Sequence, residues 1–201
     1  MLDLITAIIG ALGAFGIFLL MFAENVFPPI PSEIILPLAG YSAAQTGAPI
    51  LIVVVAATLG SVAGAMFWYW IGRAIGLDRV REFARHHGRW LTLSPREVDG
   101  VDRWFERFGP LAVLIGRMVP GIRTLISIPA GVARMKLLPF LLWTSLGSVI
   151  WTFGLVLAGY ELGERYQTVA LIIEPVSNAI LAGILAAYLW RVATFRKVRR
   201  D

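Results

Sequence analysis

The chain has no cysteine, only two histidines and, in 201 residues, only 15% charged side chains. The missing cysteine excludes disulfides, thiolate metal sites and cysteine nucleophiles, and leaves the redox compartment open. The two histidines, His86 and His87, are adjacent, so on a helix they point about 100° apart and do not share a metal as an i, i+4 pair does. No metal and no cofactor is expected. The scarcity of charge, set against 58% hydrophobic residues, excludes a soluble surface for a chain of this length. Because backbone polar groups in lipid must be satisfied internally, and the apolar runs are long and not alternating, helices are implied over a barrel. The start, Met1-Leu2-Asp3, lacks a basic stretch, and no small-residue cleavage site follows the first apolar run. That run is expected to be retained as a helix.

Three uncharged stretches, 4–23, 50–72 and 137–160, are long enough to cross roughly 30 Å of hydrocarbon at about 1.5 Å per residue. A fourth span is expected at 170–190, interrupted by Glu174-Pro175 near one end, where water is close. Two further apolar stretches fail as simple spans. Pro28-Pro29-Ile30-Pro31 breaks 24–48, and Pro120-Gly121 breaks 110–135, so each reads as a re-entrant helical hairpin whose break centres on Pro29 and Pro31, or on Pro120 and Gly121. Between them, 73–109 holds eight arginines, six acids and both histidines. It reads as a cytoplasmic surface segment, with a capped amphipathic helix starting at Ser94-Pro95-Arg96-Glu97 and presenting Val98, Val101, Phe105 and Phe108 to the membrane.

With the two arginines of the second hairpin set aside, fifteen positive residues fall on one face and Arg165 alone opposite, which makes that face cytoplasmic and puts both termini inside. The first hairpin then enters from outside and the second from the cytoplasm. An internal repeat accompanies this opposition. Leu59-Gly60-Ser61-Val62 recurs as Leu146-Gly147-Ser148-Val149, Gly72 and Gly76 match Gly159 and Gly163, and both hairpins run proline, charge, apolar stretch, Ala-Gly. The expected architecture is a single all-α membrane domain, an inverted repeat of two re-entrant hairpins plus about four transmembrane helices and cytoplasmic amphipathic helices. Paired broken hairpins of this kind suit a transporter with its site near the bilayer midplane.

Four charges, Glu24 and Glu33 on the first hairpin and Arg117 and Arg123 on the second, lie in apolar surroundings, where each costs about 2.5–3.5 kcal/mol at the bilayer centre. They persist by meeting one another, by lining a wet cavity or by lying near the interface. One reading is a structural ion-pair cluster that locks the hairpins together. The favoured reading is chemical: two guanidinium forks beside a broken helix suit a phosphate headgroup, and the acids take up protons to release it or couple its movement to pH. Elsewhere, Ala56, Gly60 and Gly64 repeat every four residues, and with Gly72 they allow another helix to approach closely, within the chain or, as the alternative, across a homo-oligomer face. Trp68, Tyr69 and Trp70 read as interfacial anchors at the end of the same helix.

Taken together, Glu24, then Pro29-Ile30-Pro31-Ser32-Glu33, then Gly60-x3-Gly64-x4-Tyr69-x2-Gly72, then Arg117-x2-Pro120-x2-Arg123 and Ala130-Gly131-x3-Met135 resemble the DedA family. The pattern covers about 15–165 and departs from the family at Ile115, where an aromatic residue is frequent. The resemblance implies a multi-pass protein of the bacterial inner membrane, related to lipid scramblases, that flips undecaprenyl phosphate or a phospholipid and depends on proton motive force. It places the family's essential acids on Glu24 and Glu33 and its arginines on Arg117 and Arg123. The expected partner is thus a phosphate-bearing lipid, with protons as a candidate coupling ion and no nucleic acid. A lipid-phosphate enzyme is the weaker expectation, because no nucleophile and base can be read beside the arginines; a structural scaffold is the third.

Overall fold

The computed structural model describes residues 2–27, 32–91, 100, 104–105, 107–119, 123–162, 183, 186 and 190. Among these every regular element is a helix: α1 (Leu2–Val26), α2 (Ser32–Thr46), α3 (Ile50–Leu91), α4 (Leu111–Arg117), α5 (Ser127–Val132) and α6 (Leu137–Leu162). Three of them contain stretches long and apolar enough to cross a membrane, at Leu4–Val26, Ile50–Glu82 and Leu137–Leu162. Their outward faces carry large apolar side chains such as Leu51, Leu59, Leu138, Leu142 and Phe153, all exposed, as a lipid solvent permits. The proline breaks (Pro29, Pro31, Pro120, Gly121), most of the amphipathic helix expected after Ser94 and the fourth span at 170–190 fall outside the described residues.

Two helix limits differ from those read off the sequence. Helix α1 runs through Glu24 to Val26, so Glu24 belongs to its last turn and not to a hairpin beginning there. Nothing between Ala23 and Phe27 opposes helix, and only the approach of Pro28 forces the backbone out. Helix α3 does not stop at Gly72 but continues to Leu91. There is no proline between Pro49 and Pro95, so composition changes at Arg73 without any steric stop. Gly76, at φ 73°, lies three residues beyond that change. Helix α1 is also bent at Gly13 (φ 55°, ψ −131°), a conformation open to glycine alone at little cost.

The two halves of the chain interlock. Helix α1 packs on α3 and α4 on α6, each within its own half, but α2 lies against α6 and α5 against α3. Glycines make these crossings possible. A Cβ on Gly40 would strike the carbonyl of Val156, and one on Gly159 the carbonyl of Pro37, so α2 and α6 touch backbone to backbone. In the same way Gly131 abuts the carbonyl of Tyr69, and Gly72 that of Ile128, where α5 meets α3. The correspondence is that of the repeat: Gly72 with Gly159, and the Ala-Gly ending of one broken segment (Gly40) with that of the other (Gly131). Gly60 rests on the carbonyl of Phe18 and Gly64 on Asn25, so both face α1 of the same chain. Tyr69 is fully buried, stacked on Phe140 at 4.5 Å, with its hydroxyl donating to the Met135 carbonyl at 2.5 Å. It is a core residue that joins α3 to α6, in contrast to the interfacial anchor expected; Trp70 beside it is half exposed.

Candidate functional site

Three of the four charges placed in the membrane by the sequence converge at the crossing of the halves. Glu24 ends α1, Arg117 ends α4, and Arg123 lies in the turn before α5; they are 4%, 2% and 5% exposed. Arg123 Nη2 donates to Glu24 Oε1 in a buried ion pair. The other oxygen, Glu24 Oε2, accepts from Asn25 Nδ2 at 3.0 Å, and the same amide reaches Ser61 Oγ at 3.0 Å and the Met21 carbonyl at 3.3 Å. Asn25 is itself held from behind, since its carbonyl accepts from Trp68 Nε1 at 2.9 Å. Each oxygen of Glu24 therefore accepts one bond.

Arg117 is placed differently. No carboxylate pairs with it among the described residues. Its contacts are three hydroxyls at the long end of hydrogen bonding: Nη1 to Ser61 Oγ at 3.4 Å and to Ser148 Oγ at 3.5 Å, and Nη2 to Ser127 Oγ at 3.4 Å. Its Nε is sealed from solvent without a partner among the described residues. A buried cation normally persists through an adjacent anion, and neutral hydroxyls at this length compensate it only in part. Arg123 and Glu24 are both within electrostatic range of Arg117, so the immediate cluster is two guanidiniums against one carboxylate. An anion of the right size would complete it.

Helix α6 supplies one wall of this cluster. Gly147 lets the Arg117 Cβ approach as no larger residue would, Ser148 meets Arg117 Nη1, and the Arg123 guanidinium lies over the Trp151 ring, 5.3 Å from its centroid. Below this level, Thr58 and Thr152 join α3 to α6 through a buried hydroxyl pair at 3.1 Å.

Of the residues singled out in the sequence, Glu24, Arg117 and Arg123 thus come together. Glu33 does not join them by any bond: it sits in the first turn of α2, half-buried, accepts from Ser32 Oγ at 3.3 Å, and is within electrostatic range of Glu24. The sequence reading passed over Asn25, Ser61, Ser127, Ser148 and Trp151. For two of these a signal was present. Ser61 and Ser148 are the repeated serines of Leu-Gly-Ser-Val, and the structure brings both copies to one nitrogen of Arg117. Among the described residues no group of three His, Cys, Asp or Glu stands close enough to hold a metal ion.

A family model described as the VTT domain matches residues 30–161. A protein of Lactococcus lactis named alkaline phosphatase-like protein is 36% identical over 200 residues, covering 99% of this chain and 94% of that protein. Undecaprenyl phosphate transporter A of Staphylococcus aureus is 35% identical over 188 residues, covering 94% and 93%. Its namesake in Bacillus subtilis is 34% identical over 140 residues, covering 70% and 69%. No solved structure matches the chain.

Proposed function

The chain belongs to the VTT-domain, or DedA, family, and from that premise we propose that it flips a lipid bearing a phosphate headgroup across the bacterial inner membrane, with both of its termini in the cytoplasm. The observation that carries this reading is Arg117, a guanidinium buried at the crossing of the two halves with three serines around it and, among the described residues, no carboxylate of its own. A phosphate oxygen supplies the missing anion, and the planar fork of arginine matches it better than a point charge. Arg123 is the second clamp. To bind the headgroup it loosens its grip on Glu24, and protonation of Glu24 releases it for that purpose; Glu33, nearer the edge, is placed to exchange protons with the outside. The lipid tails remain in the bilayer while the headgroup crosses. Undecaprenyl phosphate is the first candidate because relatives in two genera carry that substrate in their names, and a phospholipid is the second.

Reconstitution in liposomes with a headgroup-accessibility assay tests the reading. Arg117→Ala and Arg123→Ala are expected to abolish flipping, and undiminished flipping by either sinks the role given to that arginine. A second reading, an enzyme acting on lipid phosphates, is favoured by the name of the Lactococcus relatives alone. Phosphate released from a polyprenyl diphosphate by the purified protein would establish it.

A further inference from the structure

We propose that Trp151 is a headgroup ligand in its own right, its indole N–H donating to an oxygen of the phosphate held by Arg117 and Arg123. The proposal rests on the lipid-phosphate reading above and adds a neutral donor to it.

Three observations lead there. The first is an unmet bond. Trp151 Nε1 is sealed from solvent and has no acceptor among the described residues, although the ring itself is only half-buried. Buried indole N–H groups ordinarily find a partner, and in a lipid setting water is not at hand to provide one. The second is position. Along α6, Gly147 lies under Arg117, Ser148 bonds Arg117 Nη1, and Trp151 lies under Arg123. From Gly147 to Trp151 is one helical turn, about 6 Å of rise at 1.5 Å per residue, so the two guanidiniums sit over one turn of one helix. An anion clamped between them lies over that turn, which carries Trp151. The third is the balance of donors and acceptors. Arg117 Nε is a second buried donor with no partner among the described residues, while each oxygen of Glu24, the carboxylate of the cluster, already accepts one bond. Against one unpartnered buried acceptor, Asn25 Oδ1, the site thus holds two unpartnered donors, one of them on a cation, a balance that suits an oxyanion.

Packing alone accounts for the ring but not for the nitrogen. The Trp151 ring lies against the apolar cluster of α1, α2, α3 and α6 and forms a platform for Arg123. Phenylalanine would serve both ends, since cation–π attraction to its face is only somewhat weaker than to indole.

The test uses the full-length protein in detergent and measures displacement of a fluorescent polyprenyl monophosphate, with the uncharged polyprenol as the comparison ligand. Trp151→Phe retains the platform and removes the donor. It is expected to weaken monophosphate binding roughly tenfold or more, the usual effect of one hydrogen bond to a charged acceptor, and to leave polyprenol binding unchanged. Wild-type affinity in Trp151→Phe overturns the proposal. Should that variant fail to fold, 3-benzothienylalanine at position 151 keeps the ring size and exchanges N–H for sulfur; the same loss supports the proposal and wild-type binding overturns it. Arg117→Ala and Arg123→Ala, measured alongside, separate the two levels. If they weaken binding and Trp151→Phe does not, the inference falls and the lipid-phosphate reading stands. If neither arginine matters, both fall.

Discussion

Arg117 and Arg123 are both buried arginines six positions apart, yet their surroundings make opposite demands on the fold. Arg123 has a carboxylate partner, so replacing it by Met strands Glu24 as an uncompensated buried charge and is expected to destabilise the protein by about 3–5 kcal/mol. Arg117 has none, so Arg117→Met removes a buried cation and three long hydrogen bonds together. It is expected to be neutral or stabilising, by up to about 1–4 kcal/mol, while flipping is lost. Thermal unfolding in one detergent, run beside the liposome assay, reads both variants; a large loss of stability in Arg117→Met would mean that its charge serves folding and not ligand binding. The ion pair has its own test. Exchanging its ends, Glu24→Arg with Arg123→Glu, preserves a pair but turns the clamp around. A purely structural cluster predicts retained flipping, whereas the proposed function predicts a folded protein that does not flip. The structure identifies Glu24, and not Glu33, as the partner to exchange.

Among the elements, α2 and α5 are the least able to stand alone. Helix α5 has six residues, and α2 contains Pro37, which removes the hydrogen bond to the Glu33 carbonyl one turn earlier. Their order comes from backbone contact with the partner half, through Gly40 and Gly159 for α2 and through Gly131 and Gly72 for α5. Because the two crossings are equivalent in the repeat, Gly40→Val and Gly131→Val are expected to lose similar stability, about 1–3 kcal/mol each as overpacked contacts do. Denaturation midpoints of the two variants check this; a loss confined to one would show that the crossings are unequal. The repeat in the sequence announced two similar elements. It did not announce that each would pack on the other's helix, because matching glycines state only that some backbone comes close.

For the whole molecule, interlocking means that neither half is a folding unit. A chain of residues 1–91 leaves α2 without α6 and α3 without α5. Expressed alone it is expected to aggregate on gel filtration in detergent, and to become monodisperse when co-expressed with residues 92–201; a well-behaved 1–91 fragment would contradict the interlocked arrangement. The same feature bears on function, because the cluster is assembled from both halves: Glu24, Asn25 and Ser61 from the first, Arg117, Arg123, Ser127, Ser148 and Trp151 from the second. Relative movement of the halves therefore changes the bonds that cross between them, Arg117 to Ser61 and Arg123 to Glu24.

The membrane class, the three long spans and the presence of expensive charges between them follow from the sequence by itself, because lipid admits few ways to satisfy a backbone and none to ignore a buried ion. Even the acid-and-base character of the two broken segments is written there. What the tertiary structure alone decided is which charges meet. Arg117 and Arg123 look alike in sequence, but the fold brings Glu24 to Arg123 and Asn25 and sets Arg117 among serines. Partner choice at a crossing of helices depends on distances and directions among residues far apart in the chain, and no local pattern encodes them.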